Sequence, residues 1–163
     1  MNERLNKYTI CFTGHRNLPP SKINEIQIQL ESVLSELIEN GFRFFGAGGA
    51  LGFDTLAAQT VLNLKKKHPH IKLILVRPCQ NQDKMWPQTD KKIYSDIKSK
   101  ADKIVYTSNE YYSGCMQKRN RHLVNNSSVC VCYLNKQSGG TAYTVDYAKK
   151  NGLKIINISE CTR

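Results

Sequence analysis

Long hydrophobic runs, paired-cysteine motifs and acidic residues are all scarce in this chain of 163 residues. No stretch approaches the roughly 18 apolar residues of a membrane-spanning helix, so we expect no association with a membrane. The first residues lack the apolar segment of a signal peptide, and we expect a cytoplasmic protein. No internal repeat, linker or low-complexity tract is present. We therefore expect one domain over residues 1–163.

The six cysteines do not have the spacing of a disulfide framework or a zinc site. There is no C-x-x-C pair and no histidine cluster of zinc-finger spacing, so we expect no bound metal. Free and mostly buried thiols are expected, as is typical of a reducing compartment. Cys130 and Cys132 are expected on opposite faces of one strand. Cys115, at the start of a predicted helix, is the candidate for a reactive thiol.

Basic residues outnumber acidic ones, with 24 Lys and Arg against 13 Asp and Glu and a formal net charge of +11. Residues 1–60 carry 5 basic and 6 acidic side chains, whereas residues 61–163 carry 19 and 7. This asymmetry indicates an anionic partner such as nucleic acid, a nucleotide phosphate or an acidic protein. A lysine-rich solvated surface would have the same composition. Charge alone does not decide between them.

Apolar runs alternate with helical patterns from end to end. Strands are predicted over residues 8–12, 42–47, 71–76, 103–106, 128–134 and 154–158. Helices between them are predicted to begin near residues 21, 55, 89, 116 and 138, with Ser21 as the N-cap of the first. This alternation is typical of an α/β, single Rossmann-like domain, with a mainly parallel sheet of about six strands and helices on both faces. Ligands of such sheets bind in the crevice at the carboxyl ends of the strands.

Three loops connect a predicted strand to a helix and should open onto that crevice. The first contains Thr13, Gly14, His15 and Arg16, the second Gly48, Gly49, Gly52 and Asp54, and the third Ser138, Gly139, Gly140 and Thr141. Glycines before a helix let backbone N–H groups approach a phosphate at its positive end. Two such glycine loops in one sheet indicate a phosphorylated, nucleotide-like ligand.

The second loop also excludes one common activity. Its spacing is not G-x-G-x-x-G, and Phe53 and Asp54 stand where a P-loop would have lysine and a hydroxyl residue. ATP hydrolysis of the P-loop type is therefore not expected. Asp54 either caps the helix that follows or binds a ribose hydroxyl.

A basic helix is predicted between the second and third loops, and it contains Arg119 and Asn120. An arginine at the crevice would pair bidentately with a phosphate. The alternative is a basic helix that faces solvent.

Together these elements resemble the SLOG superfamily, which joins the SMF/DprA proteins and the LOG-type enzymes, and within it the YpsA-like branch. The residues that carry the resemblance are the three loops with Ala57 and Ala58, then Gln82, Trp86, Asp90, Tyr94, Met116, Arg119, Asn120, Leu123, Val124, Thr144, Val145, Tyr147 and Ala148. The resemblance implies a Rossmann-like fold that binds a nucleotide or a nucleotide-derived ligand, such as ADP-ribose, NAD or a nucleoside monophosphate.

The same resemblance leaves catalysis open. LOG-type enzymes cleave the N-glycosidic bond of nucleotides with an arginine and a glutamate. Arg119 matches the arginine, but Thr144 stands where the glutamate would be, and Asp146 lies off that face of the helix. Such a reaction needs a carboxylate near the sugar, and Asp54 is the candidate substitute.

Our leading hypothesis is a non-catalytic, sensory module that binds a nucleotide-like small molecule, requires no cofactor and forms a homo-oligomer. One alternative is a LOG-like nucleoside monophosphate phosphoribohydrolase, with Arg119 and Asp54 as its catalytic candidates. A second is a DNA-binding protein resembling DprA, favoured by the basic charge. The chain lacks an aromatic-rich basic stripe for stacking single strands, which argues against DNA binding. The nearest approach to such a stripe is Tyr111 and Tyr112, near Lys118, Arg119 and Arg121.

Overall fold

Six strands and five long helices alternate along residues 3–161, the part of the chain that the computed structural model describes. The strands are β1 (Thr9–Gly14), β2 (Phe44–Ala47), β3 (Lys72–Arg77), β4 (Lys103–Tyr106), β5 (Val129–Tyr133) and β6 (Lys154–Asn157). The helices are the single turn α1 (Glu3–Asn6), α2 (Ile23–Glu39), α3 (Phe53–Lys65), α4 (Gln88–Lys100), α5 (Cys115–Asn125) and α6 (Gly140–Lys150). Short 3-10 turns cover Pro20–Lys22 and Ile158–Glu160.

The strands form one parallel sheet in the order β4-β3-β2-β1-β5-β6. From β1 to β4 the chain adds strands outward on one side, and it then crosses to the other side of β1 to begin β5. The connections from β1 and β5 therefore diverge, and the crevice of an open α/β sheet lies at such a switch point. This confirms the predicted α/β architecture.

Helices cover both faces of the sheet. Ile10 and Phe12 of β1 face the layer formed by α2, α3 and α4, whereas Cys11 faces α5 and α6. Cys130 and Cys132 also face α5 and α6, beside Cys11. The expectation that they point to opposite faces is wrong, because side chains two residues apart on a strand share a face.

The segment between β1 and α2 differs from the prediction at both ends. β1 continues through Thr13 and Gly14, and Gly14 is paired in register with Tyr133 of β5. A Cβ at residue 14 would lie 2.4 Å from Cγ of Phe53, so only glycine lets α3 begin this close to β1. Ser21 is not the N-cap of α2: it lies within the 3-10 turn, and α2 starts after Lys22.

The end of α2 follows the glycine signal in the sequence. Gly41 has φ +99° directly after the last turn of α2, the left-handed conformation that glycine adopts after a helix.

Within residues 3–161, no helix combines the length and apolar character needed to cross a membrane.

Candidate ligand-binding site

A cavity of about 330 Å³ lies at the switch point, where β1 and β5 end. Residues from all three loops and from α5 line it. They are Thr13, Gly14, His15, Arg16, Ala50, Asp54, Met116, Arg119, Asn120, Lys136, Ser138, Gly139, Gly140 and Thr141. The structure therefore brings most of the predicted site residues to one place.

The three glycines of the second loop are not among these lining residues of the described chain. A Cβ at Gly48 would lie 2.7 Å from Cζ of Arg119, and a Cβ at Gly49 would lie 2.5 Å from the Tyr94 hydroxyl. At Gly52, where φ is +79°, a Cβ would lie 2.1 Å from a backbone oxygen of Arg16. These glycines admit close neighbours behind the cavity wall. They leave room for the guanidinium of Arg119 and for the backbone of Arg16.

Arg119 is buried, with 3% of its surface exposed, although its neighbour Lys118 on the same helix is exposed. Its Nη1 donates to the carbonyl of Gly48, and its Nε donates to Oδ1 of Asn120 at 2.7 Å. Burial lowers the pKa of Arg119, while the charge of Asp54 opposes that shift. Nη2 makes no hydrogen bond within the described residues and is not among their buried unpartnered atoms, so this donor is accessible in the cavity that Arg119 lines.

Asp54 lies in the first turn of α3 and is 6% exposed. Its Oδ2 accepts from the N–H of Ala50 at 3.4 Å, in the loop that precedes the helix, so it does not cap α3. Oδ1 is buried without a hydrogen-bond partner in residues 3–161. Burial raises the pKa of Asp54 to about 6, although Arg119 and the Ala50 N–H lower it. A buried unpaired carboxyl oxygen is costly, and it indicates a position for a ligand or a proton.

The amino terminus of α6 closes the cavity on the β5 side. Gly139 precedes the helix with φ +101° and has no side chain to cap it, and the first turn contains no acidic residue. The N–H groups of that turn are thus free to bind an anion, and the helix dipole favours one. Lys136 in the same connection adds a positive charge to the cavity.

His15 joins the two sides of the switch point. Its Nε2 accepts from the N–H of Asn135 at 3.0 Å. Burial, followed by the positive charge of Lys136, lowers the pKa of His15 and so favours the neutral ring that this hydrogen bond requires. The loops after β1 and β5 are therefore held together while His15 is uncharged.

Sequence reasoning missed three lining residues, Ala50, Met116 and Lys136. Lys136 lies between the fifth predicted strand and the third loop, and this position could have placed it at the crevice. Ala50 and Met116 carry no chemical signal of their own. Cys115, the candidate reactive thiol, is fully buried at the start of α5.

A six-stranded parallel sheet with helices on both faces and a crevice at its switch point defines a protein of the Rossmann-like α/β fold. The chain matches the family model YpsA, described as the YspA SLOG family, over residues 10–159, and it belongs to that family. The resemblance drawn from the motifs is thereby confirmed.

Two bacterial relatives are about one-third identical to this chain over the aligned region. One is the SPbeta prophage-derived protein YoqJ of Bacillus subtilis, 36% identical over an alignment of 143 positions that covers 79% of this chain and 83% of YoqJ. Another is a UPF0398 protein of Halalkalibacterium halodurans, 34% identical over an alignment of 131 positions that covers 78% of this chain and 69% of that protein.

Two solved structures have a similar fold, and both are of DNA processing protein A. The Helicobacter pylori protein, described with its single-stranded DNA binding mode, has a TM-score of 0.65 and 21% identity over 94% of this chain and 67% of its own. The Streptococcus pneumoniae protein has a TM-score of 0.66 and 16% identity over 93% of this chain. The present chain spans 50% of the length of that second protein.

Proposed function

We propose that this protein binds a nucleotide or nucleotide-derived ligand, of the ADP-ribose, NAD or nucleoside monophosphate type, with a phosphate in the cavity between β1 and β5. The observation that carries the proposal is the guanidinium of Arg119, whose Nη2 is unbonded and accessible in the same cavity that the uncapped amino terminus of α6 lines. An arginine held in this way is ready to pair with a phosphate without reorganisation.

The charge of the cavity supports an anionic ligand. Arg16, Arg119 and Lys136 line it, whereas Asp54 is the one carboxyl among its described lining residues, so the positive charges are in excess. Asp54 is suited to accept from a ribose hydroxyl through its unpartnered Oδ1. A ligand that supplies both a phosphate and a hydroxyl would satisfy both buried groups.

Isothermal titration calorimetry with ADP-ribose, NAD, AMP and cyclic nucleotides tests the proposal. Replacing Arg119 by Met should weaken binding roughly tenfold to a hundredfold, the usual effect of losing a charge-assisted hydrogen bond. Arg121→Met is the matched control, because Arg121 lies two residues along α5, outside the cavity lining, and donates to the Tyr143 hydroxyl at 3.2 Å. Absence of binding to every nucleotide at millimolar concentration by the folded protein would refute the proposal.

A phosphoribohydrolase activity is the second candidate, and the environment of Asp54 favours it. A carboxyl group with a pKa of about 6 beside an arginine suits general acid–base chemistry near neutral pH. Thr144, in the position of the LOG-type glutamate, donates its hydroxyl to the carbonyl of Gly140. Asp146 is paired with Lys150 on the exposed side of α6. Free base released from nucleoside monophosphates, and lost in Asp54→Asn, would establish this activity.

DNA binding is the third candidate, supported by the DprA-like fold and by an exposed rim of basic and aromatic side chains. Tyr111 and Tyr112 are exposed before α5, and Arg121 on α5 contacts the exposed Tyr143. Phosphate contacts on such a rim predict an affinity that falls steeply with salt. A gel-shift titration with single-stranded DNA at two salt concentrations tests it. Here Arg121→Met should weaken DNA binding and leave nucleotide binding unchanged.

A further inference from the structure

A second cavity, of about 500 Å³, adjoins the first one. Arg16, Ala50 and Met116 line both cavities, so the two spaces meet along these residues. The second cavity has mainly apolar and aromatic walls. Beyond the shared residues they include Pro78, Gln82, Met85, Trp86 and Tyr111.

Gln82 is the unusual member of this wall. Its Oε1 and Nε2 are both buried, and neither has a hydrogen-bond partner among residues 3–161. Burying an amide without partners is unfavourable, so such groups indicate a ligand that supplies them. The amide presents one acceptor next to one donor, and its complement is a planar edge with a donor next to an acceptor.

The walls around Gln82 suit a flat ring. Trp86 packs on Tyr94, with ring centroids 5.2 Å apart, and Tyr94 itself is buried against the guanidinium of Arg77 at 5.1 Å. The indole is therefore held in place from behind. Tyr111 and Met85 are 71% and 89% exposed, so apolar side chains stand in solvent at the rim, available to cover a planar ligand.

We propose that the second cavity binds the nucleobase of the nucleotide, with adenine preferred, and that Gln82 is its specificity-determining residue. The proposal rests on the proposed function, since the phosphate of the same ligand occupies the first cavity. Glutamine pairs bidentately with N6 and N7 of adenine, an edge that combines a donor with an acceptor. Held by that same edge, hypoxanthine presents the two acceptors O6 and N7 and leaves the glutamine oxygen unpaired. To pair with the amide through O6 and N1–H it must turn over in the cavity. The shared residues Arg16 and Ala50 then lie beside the sugar.

Trp86 provides a direct readout, because it is the only tryptophan of the chain. AMP, IMP and ribose 5-phosphate are titrated by calorimetry and by tryptophan fluorescence. We expect AMP to bind and to change the Trp86 emission, ribose 5-phosphate to bind without that change, and IMP to bind more weakly than AMP. A base stacked in the cavity changes the surroundings of the indole, whereas a sugar phosphate in the first cavity does not.

Gln82→Met tests the specificity role. It should lower AMP affinity roughly tenfold and reduce the preference for AMP over IMP, while the affinity for ribose 5-phosphate stays the same. Thermal stability should not fall, because no described protein group bonds to the amide. Gln80→Met is the matched control: Gln80 is exposed, and its side chain is not part of the described cavity lining.

The outcomes separate this proposal from the one on which it rests. Binding of AMP with no change in Trp86 emission, or an unchanged preference for AMP over IMP in Gln82→Met, would overturn the base site and leave the phosphate site standing. Failure of AMP and ribose 5-phosphate to bind the folded protein would overturn the base site, and failure of ADP-ribose, NAD and cyclic nucleotides as well would overturn both proposals.

Discussion

Arg119 of α5 lies directly on the backbone of Gly48, the residue that follows β2. Nη1 of the arginine donates to the Gly48 carbonyl, and any Cβ at residue 48 would lie 2.7 Å from Cζ of the guanidinium. Gly48 has an ordinary negative φ, so this proximity is what requires glycine here. The glycine loop thus fixes the buried arginine that faces the cavity.

Gly48→Ala should therefore displace Arg119. We expect the free energy of unfolding to fall by about 1–3 kcal/mol, as for other overpacked positions, and nucleotide affinity to fall with it. Urea denaturation measures the first effect and calorimetry the second.

Gly140→Ala is the matched control for stability. No heavy atom lies within 4 Å of a Cβ built at Gly140, and the residue begins α6 with a φ that alanine tolerates. Stability should stay the same or increase slightly, because alanine favours helix. If the free energy of unfolding fell equally in the two variants, the contact between Gly48 and Arg119 would not be the cause of the loss.

Asp54 should make stability depend on pH. Because its pKa is raised from 3.8 to about 6 on folding, the native state holds the proton more tightly than the unfolded state between these values. Stability contributed by this group is thus greatest below pH 4 and is lost as pH rises through 6, by about 3 kcal/mol at most at roughly 1.4 kcal/mol per pKa unit.

Asp54→Asn removes that titration. The unfolding free energy of the variant relative to the natural protein should rise between pH 4 and pH 7, as followed by urea denaturation at several pH values. His15 titrates nearby, but it is present in both proteins, so their difference isolates Asp54. Parallel pH profiles for the two proteins would contradict the raised pKa.

The order of elements was predictable from local pattern, since buried strands are continuous apolar runs and the helices have 3.6-residue periodicity. β4 was predicted over the residues that the structure assigns to it, whereas β1 was predicted two residues short. Thr13 and Gly14 lack the apolar character of a buried strand. They are drawn into the sheet by pairing with β5, a contact about 120 residues away along the chain.

The candidate site was predictable only as a set of loops. Strand–helix alternation places Arg16 and Gly139 at the same edge, but nothing local reveals which side chain a glycine must accommodate. Gly48 meets Arg119 across 71 positions of sequence. Gln82 lies in a polar stretch that is typical of a solvated loop, and only the folded structure shows that its amide is buried.

The ion pair of Arg77 and Asp83 should contribute more to stability than surface pairs do. Arg77 is 2% exposed at the end of β3, and its Nη2 lies 3.0 Å from Oδ1 of Asp83. Asp83→Ala would leave a buried guanidinium without its counter-charge, and we expect a loss of about 1–3 kcal/mol in urea denaturation.

Asp146→Ala is the comparison for this pair. It removes the contact with Lys150, in which both side chains are more than half exposed, and the change should stay within about 0.5 kcal/mol. If Asp83→Ala lowered the free energy of unfolding by no more than Asp146→Ala does, the ion pair would not stabilise the segment after β3.

Thiol reactivity should distinguish one cysteine from the other five. Cys161 is exposed, whereas the rest are buried, namely Cys11, Cys79, Cys115, Cys130 and Cys132. Hydrogen bonding to Cys11 and Cys132, together with burial, raises the pKa of Cys130 and keeps it protonated and unreactive. Ellman's reagent should titrate one thiol rapidly in the native protein and six in guanidinium, and Cys161→Ser should abolish the rapid phase. A second rapid thiol that disappears in Cys115→Ser would instead show that the start of α5 opens in solution.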